Sequence, residues 1–376
     1  MKFVSTSDEL WRFFQADAQS ALAGPQTLAD IRSYILASEG MSTTRCVLIG
    51  LDGLSHRHAE RLFGAHKRVR LSPMLSTVPT TSSTAWTTIM TGAPPSRHGV
   101  YGAAQYMPAQ KTSVFFFDTR LRAAGIVDRY DISPARETII SDWVQRGWDA
   151  HCLGFPAELD GNALIGLWTD QAQCRWLSGS PEERFSNPVK LAREVLEQAG
   201  ELLESSHSFV FAYLNVDWYI HDHGVDVAVD QAVRESVEWA ARFANRSGAK
   251  AFLISDHGMR HQPPSEHSLL TDEALLDLCR CPVGGGGRII YVYPKGSQID
   301  AARARLVAAV GADGIVMTRK EFIDAYHASP LLEPERIGEL VVVSGDGRFP
   351  GAMPDSPFEH GGVSREEMLA FFAELV

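Results

Sequence analysis

The residues of this sequence that could do chemistry are three aspartates and three histidines, most of which follow an apolar run. In chain order they are Asp52, Asp217, His221, Asp256, His257 and His360. Carboxylate oxygens and imidazole nitrogens together form a ligand set that suits zinc, and manganese and iron also accept it. A single aspartate at a strand end is more often a cap or turn residue. Six such residues in one chain instead predict two sites for divalent metal ions.

A second reactive feature is the hydroxyl-rich stretch VPTTSSTAWTTIMTG at 78–92. Serines and threonines after a proline, followed by an apolar segment that Gly92 closes, predict a loop that enters a helix. A hydroxyl at a helix N-terminus is a good N-cap, and the same position stabilises an oxyanion. The stretch therefore predicts either a cap alone or a nucleophile whose alkoxide a metal ion stabilises.

The elements that must position the aspartates are three apolar runs, at 46–54, 209–218 and 251–259. Continuous apolar runs suit parallel strands that are buried on both faces. Ligands of open α/β sheets bind at the carboxyl ends of the strands. We therefore expect the three aspartates to meet at one edge of one sheet.

Helices are expected between these strands, at 83–91, 189–204 and 227–246. Strands that alternate with helices indicate an α/β fold, a three-layer α/β/α sandwich with a mostly parallel central sheet. The run IGELVVVS at 337–344 is expected to add a strand to this sheet.

The chain outside this core divides into two further parts. Residues 1–44 are predicted to be a helical appendage of two amphipathic helices, which packs on the main body or mediates dimerisation. Residues 262–336 are predicted to be a small α+β cap insertion of βαβα type beside the active edge, which leaves 45–261 and 337–376 as the core. The tetraglycine at 284–287 is expected to be a hinge or turn, because no Lys-Ser/Thr follows it as in a phosphate-binding P-loop.

Composition and charge restrict the classes of function. The chain has 376 residues, of which 45% are hydrophobic and 22% charged, and a formal net charge of −11. Such a chain repels polyphosphate backbones, so we expect no nucleic-acid polymer as a partner. No apolar run is long enough to span a bilayer, so no membrane partner is expected. Five scattered cysteines are typical of a reduced chain, which predicts a cytoplasmic location.

Taken together, the motifs resemble those of the alkaline phosphatase superfamily, and most of all its type I phosphodiesterase/nucleotide pyrophosphatase family. The shared motifs, in chain order, are Asp52 after a strand, PTTSSTAWTTIMTGAPPSRHG from position 79, D-x-x-x-H-x-x-G from Asp217, SDHGM at 255–259 and EHGG at 359–362. The resemblance extends from about residue 46 to residue 372. Each motif alone is modest, but the ordered set is specific.

The resemblance implies a role for each of the six residues. One zinc ion would be held by Asp217, His221 and His360, and the other by Asp52, Asp256 and His257. The nucleophilic hydroxyl would be that of Ser82, nine residues before Thr91, and it would also contact the metal on the Asp52 side. Thr81 and Thr80 are the alternatives if the loop register differs, and His223 is the alternative to His221.

The implied function is a hydrolase that depends on two divalent metal ions, zinc or alternatively manganese or iron. It would cleave phosphodiester or pyrophosphate bonds of a small, phosphorylated, nucleotide-like substrate through a phosphoseryl intermediate. Diesterases of the family usually carry threonine as the nucleophile, whereas Ser82 is typical of the monoesterases. A phosphomonoesterase, a phosphonate C–P hydrolase and a non-catalytic metal-containing binding protein are therefore the alternatives. Trp86, Trp218 and Tyr219 are candidates for stacking on a base or aryl group, and a homodimer through the N-terminal helices is expected.

Overall fold

The computed structural model describes residues 24–40, 42–246, 248–265, 267–345, 348–351, 353 and 355–376. The first of the two predicted N-terminal helices lies outside these residues. The second is present as a short 3-10 helix, Leu28–Asp30, which continues into the α-helix Ile31–Ala37.

Strands β1 to β15 span, in order, Arg45–Leu51, Val69–Leu75, Ala104–Met107, Thr112–Phe115, Asp149–Pro156, Gln173–Leu177, Ser208–Leu214, Ala249–Ile254, Arg260–His261, Gly284–Gly286, Ile289–Val292, Gly314–Thr318, Leu340–Ser344, Phe358–Glu359 and Leu369–Leu375. Helices α1 to α15 span, in order, Ile31–Ala37, His56–Phe63, Ser82–Thr91, Pro95–His98, Arg129–Ile132, Ile139–Gln145, Ala163–Thr169, Pro181–Phe185, Pro188–Leu202, Asp217–His223, Val227–Ala244, Glu273–Leu276, Ile299–Val310, Arg319–Tyr326 and Arg365–Met368. The predicted helices at 83–91, 189–204 and 227–246 correspond to α3, α9 and α11.

The central sheet has seven strands in the order β2-β15-β8-β1-β7-β5-β6. Strand β15 runs antiparallel to both of its neighbours, and the other pairs are parallel. Alternate side chains of β1 enter two different cores. Val47 and Ile49 pack with α9 and α11 on one face, whereas Cys46 and Leu48 pack with α3 and α7 on the other. The predicted three-layer α/β/α sandwich is confirmed.

A second sheet of six antiparallel strands lies beside the first, in the order β12-β13-β11-β10-β3-β4. The predicted βαβα elements are present as β11, α13, β12 and α14, and both of these strands belong to the second sheet. The sheet also includes strands from 104–115 and 340–344. The prediction that 337–344 extends the central sheet is therefore wrong. Val341 and Val343 enter one apolar cluster and Leu340 and Val342 another. Such a run, buried on both faces, does not specify which sheet it joins.

The tetraglycine, predicted to be a hinge or turn, is for the most part neither, because Gly284–Gly286 form strand β10 between β3 and β11. Gly287 alone of the four lies in a turn, the one that leads into β11. A Cβ on Gly284 would lie 2.8 Å from the carbonyl oxygen of Ala104, and one on Gly285 would lie 2.2 Å from that of Ile289. The neighbouring backbones approach too closely for side chains, which explains why this strand consists of glycine.

The described part of the N-terminal segment belongs to the core of the sandwich. Ile31 and Ile35 are fully buried in the same apolar cluster as Ile89 of α3. Thr27 forms a β-bridge with Leu75 at the edge strand β2. None of the described helices has both the length and the apolarity needed to cross a membrane.

Candidate active site

Three adjacent strands of the central sheet deliver the aspartates to one edge. Asp52 directly follows β1, Asp217 begins α10 just after β7, and Asp256 lies two residues after β8. These strands are neighbours in the order β8-β1-β7, and all three are parallel. The predicted meeting of the aspartates at the carboxyl edge is therefore confirmed.

The first candidate metal site consists of Asp217, His221 and His360, called here the first triad. Its three ligand atoms lie within 4.8 Å of one another. His221 Nε2 is 3.3 Å from Asp217 Oδ2, and His360 Nε2 is 3.6 Å from Asp217 Oδ1. Asp217 and His221 are one helical turn apart on α10, which places both side chains on one face.

The second candidate site consists of Asp52, Asp256 and His257, called here the second triad. Its ligand atoms also lie within 4.8 Å of one another, and all three residues are buried. His257 Nε2 is 3.1 Å from Asp256 Oδ2 and 3.6 Å from Asp52 Oδ1. The rings of His257 and His360 stack with centroids 4.0 Å apart, so the two triads adjoin.

Backbone carbonyls fix the tautomers of the three histidines. The Nδ1 atoms of His221, His257 and His360 lie 2.9, 3.1 and 2.8 Å from the carbonyl oxygens of Phe358, Gly258 and Thr80. A carbonyl oxygen only accepts, so each Nδ1 carries the proton and donates it. Each Nε2 therefore faces the carboxylates and is the nitrogen that would bind a metal, in the case of His221 after the loss of a proton.

The surrounding protein compensates the carboxylates of the two triads only in part. Burial raises the pKa of Asp217, but His221 and His360 outweigh burial and lower this pKa below its ordinary value. Asp217 Oδ1 and Asp256 Oδ2 are buried without a hydrogen-bond partner among the described residues. Burial and the nearby charge of Asp217 raise the pKa of Asp52 to about 6, against a lowering by its bond to Tyr213. Burial, together with Asp52 and Asp217, raises the pKa of Asp256 well above its ordinary value. Buried carboxylate oxygens without hydrogen-bond partners, beside imidazole nitrogens, fit two divalent cations.

Ser82 lies beside the second triad, as the first residue of α3. Its Oγ is 3.3 Å from Asp52 Oδ1 and 3.2 Å from His257 Nε2. The two alternative hydroxyls are engaged elsewhere. Thr81 Oγ1 bonds to Ser83 Oγ and Thr84 Oγ1, and Thr80 Oγ1 donates to the carbonyl of Gly362.

Two residues that the sequence did not single out for this purpose hold Asp52 in place. Trp86 Nε1 donates to Asp52 Oδ2 at 3.1 Å, and the Tyr213 hydroxyl donates to the same oxygen. The Trp86 ring is fully buried against Phe211 and Tyr213, so it supports the site instead of stacking on a substrate.

Of the remaining candidates, Tyr219 and His223 contact each other, and Trp218 lines the cavity at the site. Tyr219 stacks on the ring of His223 and donates to Asp226, and His223 Nδ1 bonds the Tyr219 carbonyl oxygen. His221, not its alternative His223, is the member of the first triad. Trp218 alone of the three predicted stacking residues lines the cavity at the site.

A cavity of about 580 Å³ opens on the first triad, Asp52 and Ser82. Sequence reasoning missed two polar residues that line it, Asn215 and Glu359. Asn215 Oδ1 accepts from the Trp218 amide at 3.1 Å, which leaves the Nδ2 donors of this half-exposed side chain for a ligand. The sequence offered one indication for Asn215 and Glu359, their closeness to candidate metal ligands. Asn215 precedes Asp217 by two residues, and Glu359 begins the EHGG motif that contains His360.

Comparison with known families decides the identification. Residues 46–363 match the family described as type I phosphodiesterase/nucleotide pyrophosphatase. The chain belongs to this family. Its members are hydrolases of phosphoric esters, and the chain is an enzyme of this class. A search of curated proteins gives no match.

Solved structures with a similar fold come from both eukaryotes and bacteria. Murine ectonucleotide pyrophosphatase/phosphodiesterase 5 has a TM-score of 0.64 at 16% identity, over 88% of this chain and 88% of that chain. Phosphonoacetate hydrolase from Sinorhizobium meliloti, in complex with phosphonoformate, has a TM-score of 0.61 at 19% identity, over 89% of this chain and 90% of that chain. At these identities the likeness concerns the fold.

Proposed function

We propose that this enzyme is a metal-dependent phosphodiesterase that cleaves phosphodiester or pyrophosphate bonds of a small nucleotide-like substrate, with Ser82 as the nucleophile. The observation that carries the proposal is the position of the Ser82 hydroxyl, within 3.3 Å of two residues of the second triad. A hydroxyl in this position combines the N-terminus of α3 with a cation site, and both favour the alkoxide.

The reaction that these residues support has two displacements at phosphorus. The Ser82 oxygen attacks phosphorus, a seryl phosphodiester bond forms, and the bond to the first alcohol or phosphate breaks. Water then attacks the phosphoseryl group, which restores Ser82 and releases the second product. The amide of Asn215 and the N-terminal end of α3 are placed to bind the non-bridging oxygens.

The two triads would hold the two divalent ions, with zinc as the first choice and manganese or iron as alternatives. When bound, such ions supply positive charge that acidifies a coordinated hydroxyl or water and stabilises the departing oxygen. Tyr213 and Trp86 orient Asp52 by their hydrogen bonds, and the three backbone carbonyls hold each Nε2 toward its triad.

The proposal is tested by measuring hydrolysis with the zinc-loaded enzyme. An aryl phosphodiester, the matching aryl monoester and phosphonoacetate are compared at equal concentration. A rate ratio of diester to monoester far above one is expected, because the family match favours diesters. Preference for the monoester would make Ser82 the mark of a phosphomonoesterase. Turnover of phosphonoacetate alone would establish the second candidate, a phosphonate hydrolase, which the fold likeness to phosphonoacetate hydrolase supports.

Location and assembly remain predictions. We propose a cytoplasmic enzyme, for which the five unpaired cysteines give support. Fractionation of the source cells with an antibody against the chain tests this. We also propose a homodimer through the N-terminal segment.

A further inference from the structure

The lining of the active-site cavity combines two kinds of side chain. It includes the first triad, Asp52 and Ser82, and it also includes large apolar side chains, called here the apolar wall. Phe115, Leu270 and Met353 line the cavity, and their relative exposures are 50%, 37% and 43%. Large apolar side chains that remain this exposed beside a catalytic cavity mark a surface that a ligand covers.

The charge of the cavity is the second observation. No lysine or arginine occurs among the described residues that line it. Two divalent cations would bring four positive charges, and the three aspartates of the triads together with Glu359 bring four negative ones. The loaded site is therefore close to neutral before a substrate enters. Each negative charge on the substrate beyond that of a phosphodiester would therefore make the loaded site more negative.

Glu359 is a buried carboxylate that lines the cavity and belongs to neither triad. Its side chain is 2% exposed, and Oε2 has no hydrogen-bond partner among the described residues. Oε1 accepts from the His360 amide at 2.9 Å and lies 3.8 Å from His221 Nδ1. Arg260 is its cross-strand neighbour, but Arg260 does not line the cavity. The Glu359 carboxylate therefore lies in the cavity lining next to the first triad.

We propose that the site selects a phosphodiester that carries a single negative charge and an uncharged apolar substituent, with Glu359 as the specificity-determining residue that rejects additional negative charge. The proposal rests on the proposed hydrolase function and narrows it, since it favours phosphodiesters over pyrophosphates. The apolar wall that includes Phe115 would take the substituent that stays on phosphorus during the first displacement.

The test uses four substrates that share the 4-nitrophenolate leaving group. They are the phenyl diester, the methyl diester, the 4-carboxyphenyl diester and the monoester. For the zinc-loaded wild type we expect kcat/KM of the phenyl diester to exceed each of the others by at least tenfold. A preference for the monoester or the carboxyphenyl diester would overturn the inference and leave the hydrolase function standing.

Two variants separate the charge from the apolar wall. Glu359→Gln should raise kcat/KM for the monoester and the carboxyphenyl diester, relative to the phenyl diester, by about fivefold or more. Phe115→Ala should reduce the preference for phenyl over methyl by a similar factor. Glu197→Gln, an exposed carboxylate of α9, and Leu332→Ala, with 51% exposure, are the matched controls and should change neither ratio. Unchanged ratios in Glu359→Gln and Phe115→Ala would contradict the proposal.

Two readouts do not depend on turnover. The zinc content of Glu359→Gln should remain two per chain, and loss of one ion would make Glu359 a metal ligand instead. Calorimetry with the zinc-loaded Ser82→Ala variant should show tighter binding of the phenyl diester than of the monoester, by about tenfold. If this binding preference is present but the wild type hydrolyses none of the four substrates, the proposed function fails while the selectivity stands. Equal or absent binding overturns the selectivity.

Discussion

At the scale of single residues, the site depends on which of three consecutive hydroxyls faces the candidate metal ligands. Thr80 and Thr81 are bound into the loop by hydrogen bonds to Gly362, Ser83 and Thr84. Ser82 instead points at Asp52 and His257. The local hydrogen bonds therefore support Ser82 as the proposed nucleophile over Thr80 and Thr81, the two alternatives that the sequence left open.

Ser82→Ala should abolish turnover and leave the metal sites intact. Loss of the nucleophile removes the covalent route, so we expect kcat to fall by about three orders of magnitude or more. Steady-state rates and zinc content of the purified variant measure both effects. Thr81→Val is the control and should retain activity within about tenfold. A nearly wild-type rate in Ser82→Ala, with loss in Thr81→Val, would transfer the role to Thr81.

Metal binding to the first triad should release a proton. Burial lowers the pKa of His221, but Asp217 and Glu359 outweigh burial and raise the pKa to about 10 in the metal-free protein. His221 is then protonated at pH 8, and zinc must displace that proton. Calorimetric titration with zinc in two buffers of different ionisation enthalpy should show release of about one proton at this site, and weaker binding as the pH falls.

The control for proton release is His221→Ala, in which the release at the first triad should disappear. The same release in this variant would show that another group supplies the proton. The raised pKa of His221 also makes the stability of the metal-free protein depend on pH. A pKa raised above the unfolded value stabilises the metal-free fold fully below the unfolded pKa, about 6.5, and this contribution is lost as the pH rises through about 10.

At the scale of elements, the turn after strand β10 contacts the loop that carries His360. Gly287 in this turn has a φ of +58°, and a Cβ there would lie 1.9 Å from the carbonyl oxygen of His360. The Arg288 amide donates to that same carbonyl. The backbone that carries His360 is therefore fixed by a contact that only glycine permits.

Gly287→Ala should disturb the His360 loop and weaken metal binding at the first triad. The added methyl group must displace the loop, so we expect a loss of stability of about 2–4 kcal/mol and zinc binding weaker by tenfold or more. Urea unfolding and zinc titration measure the two effects. Gly296→Ala is the matched control, because a Cβ there meets no atom within 4 Å. Equal behaviour of the two variants would contradict the role of Gly287.

The sequence predicted correctly those features that depend on neighbouring residues in the chain. Each aspartate stands at the end of its own apolar strand, so the meeting of Asp52, Asp217 and Asp256 followed from the rule for parallel sheets. Strand β13 was assigned to the wrong sheet, because the sequence of an apolar run buried on both faces does not determine which strands it pairs with. Glu359 and Phe115 were missed because their role depends on a cavity that only tertiary packing creates.

At the scale of the whole molecule, the described N-terminal segment completes the core instead of standing apart from it. Leu28, Ile31 and Ile35 are at most 1% exposed and pack in the cluster that contains α3. Arg32 Nε donates to Asp142 Oδ2 at 2.6 Å, which fixes the segment to α6. The segment therefore supports the helix that begins at Ser82.

Removal of residues 1–40 should destabilise the enzyme. Three fully buried aliphatic side chains contribute about 6 kcal/mol in total, which is comparable to the whole stability of many domains. A chain that begins at Gly24 keeps these side chains and is the control. Urea unfolding of both truncated chains, with gel filtration, separates the two predicted roles of the N-terminus. A low urea midpoint for the shorter chain alone supports the packing role, because only that chain lacks Leu28, Ile31 and Ile35.

Equal midpoints for the two truncated chains would contradict the packing role. A change from dimer to monomer at equal stability would show instead that the segment serves assembly.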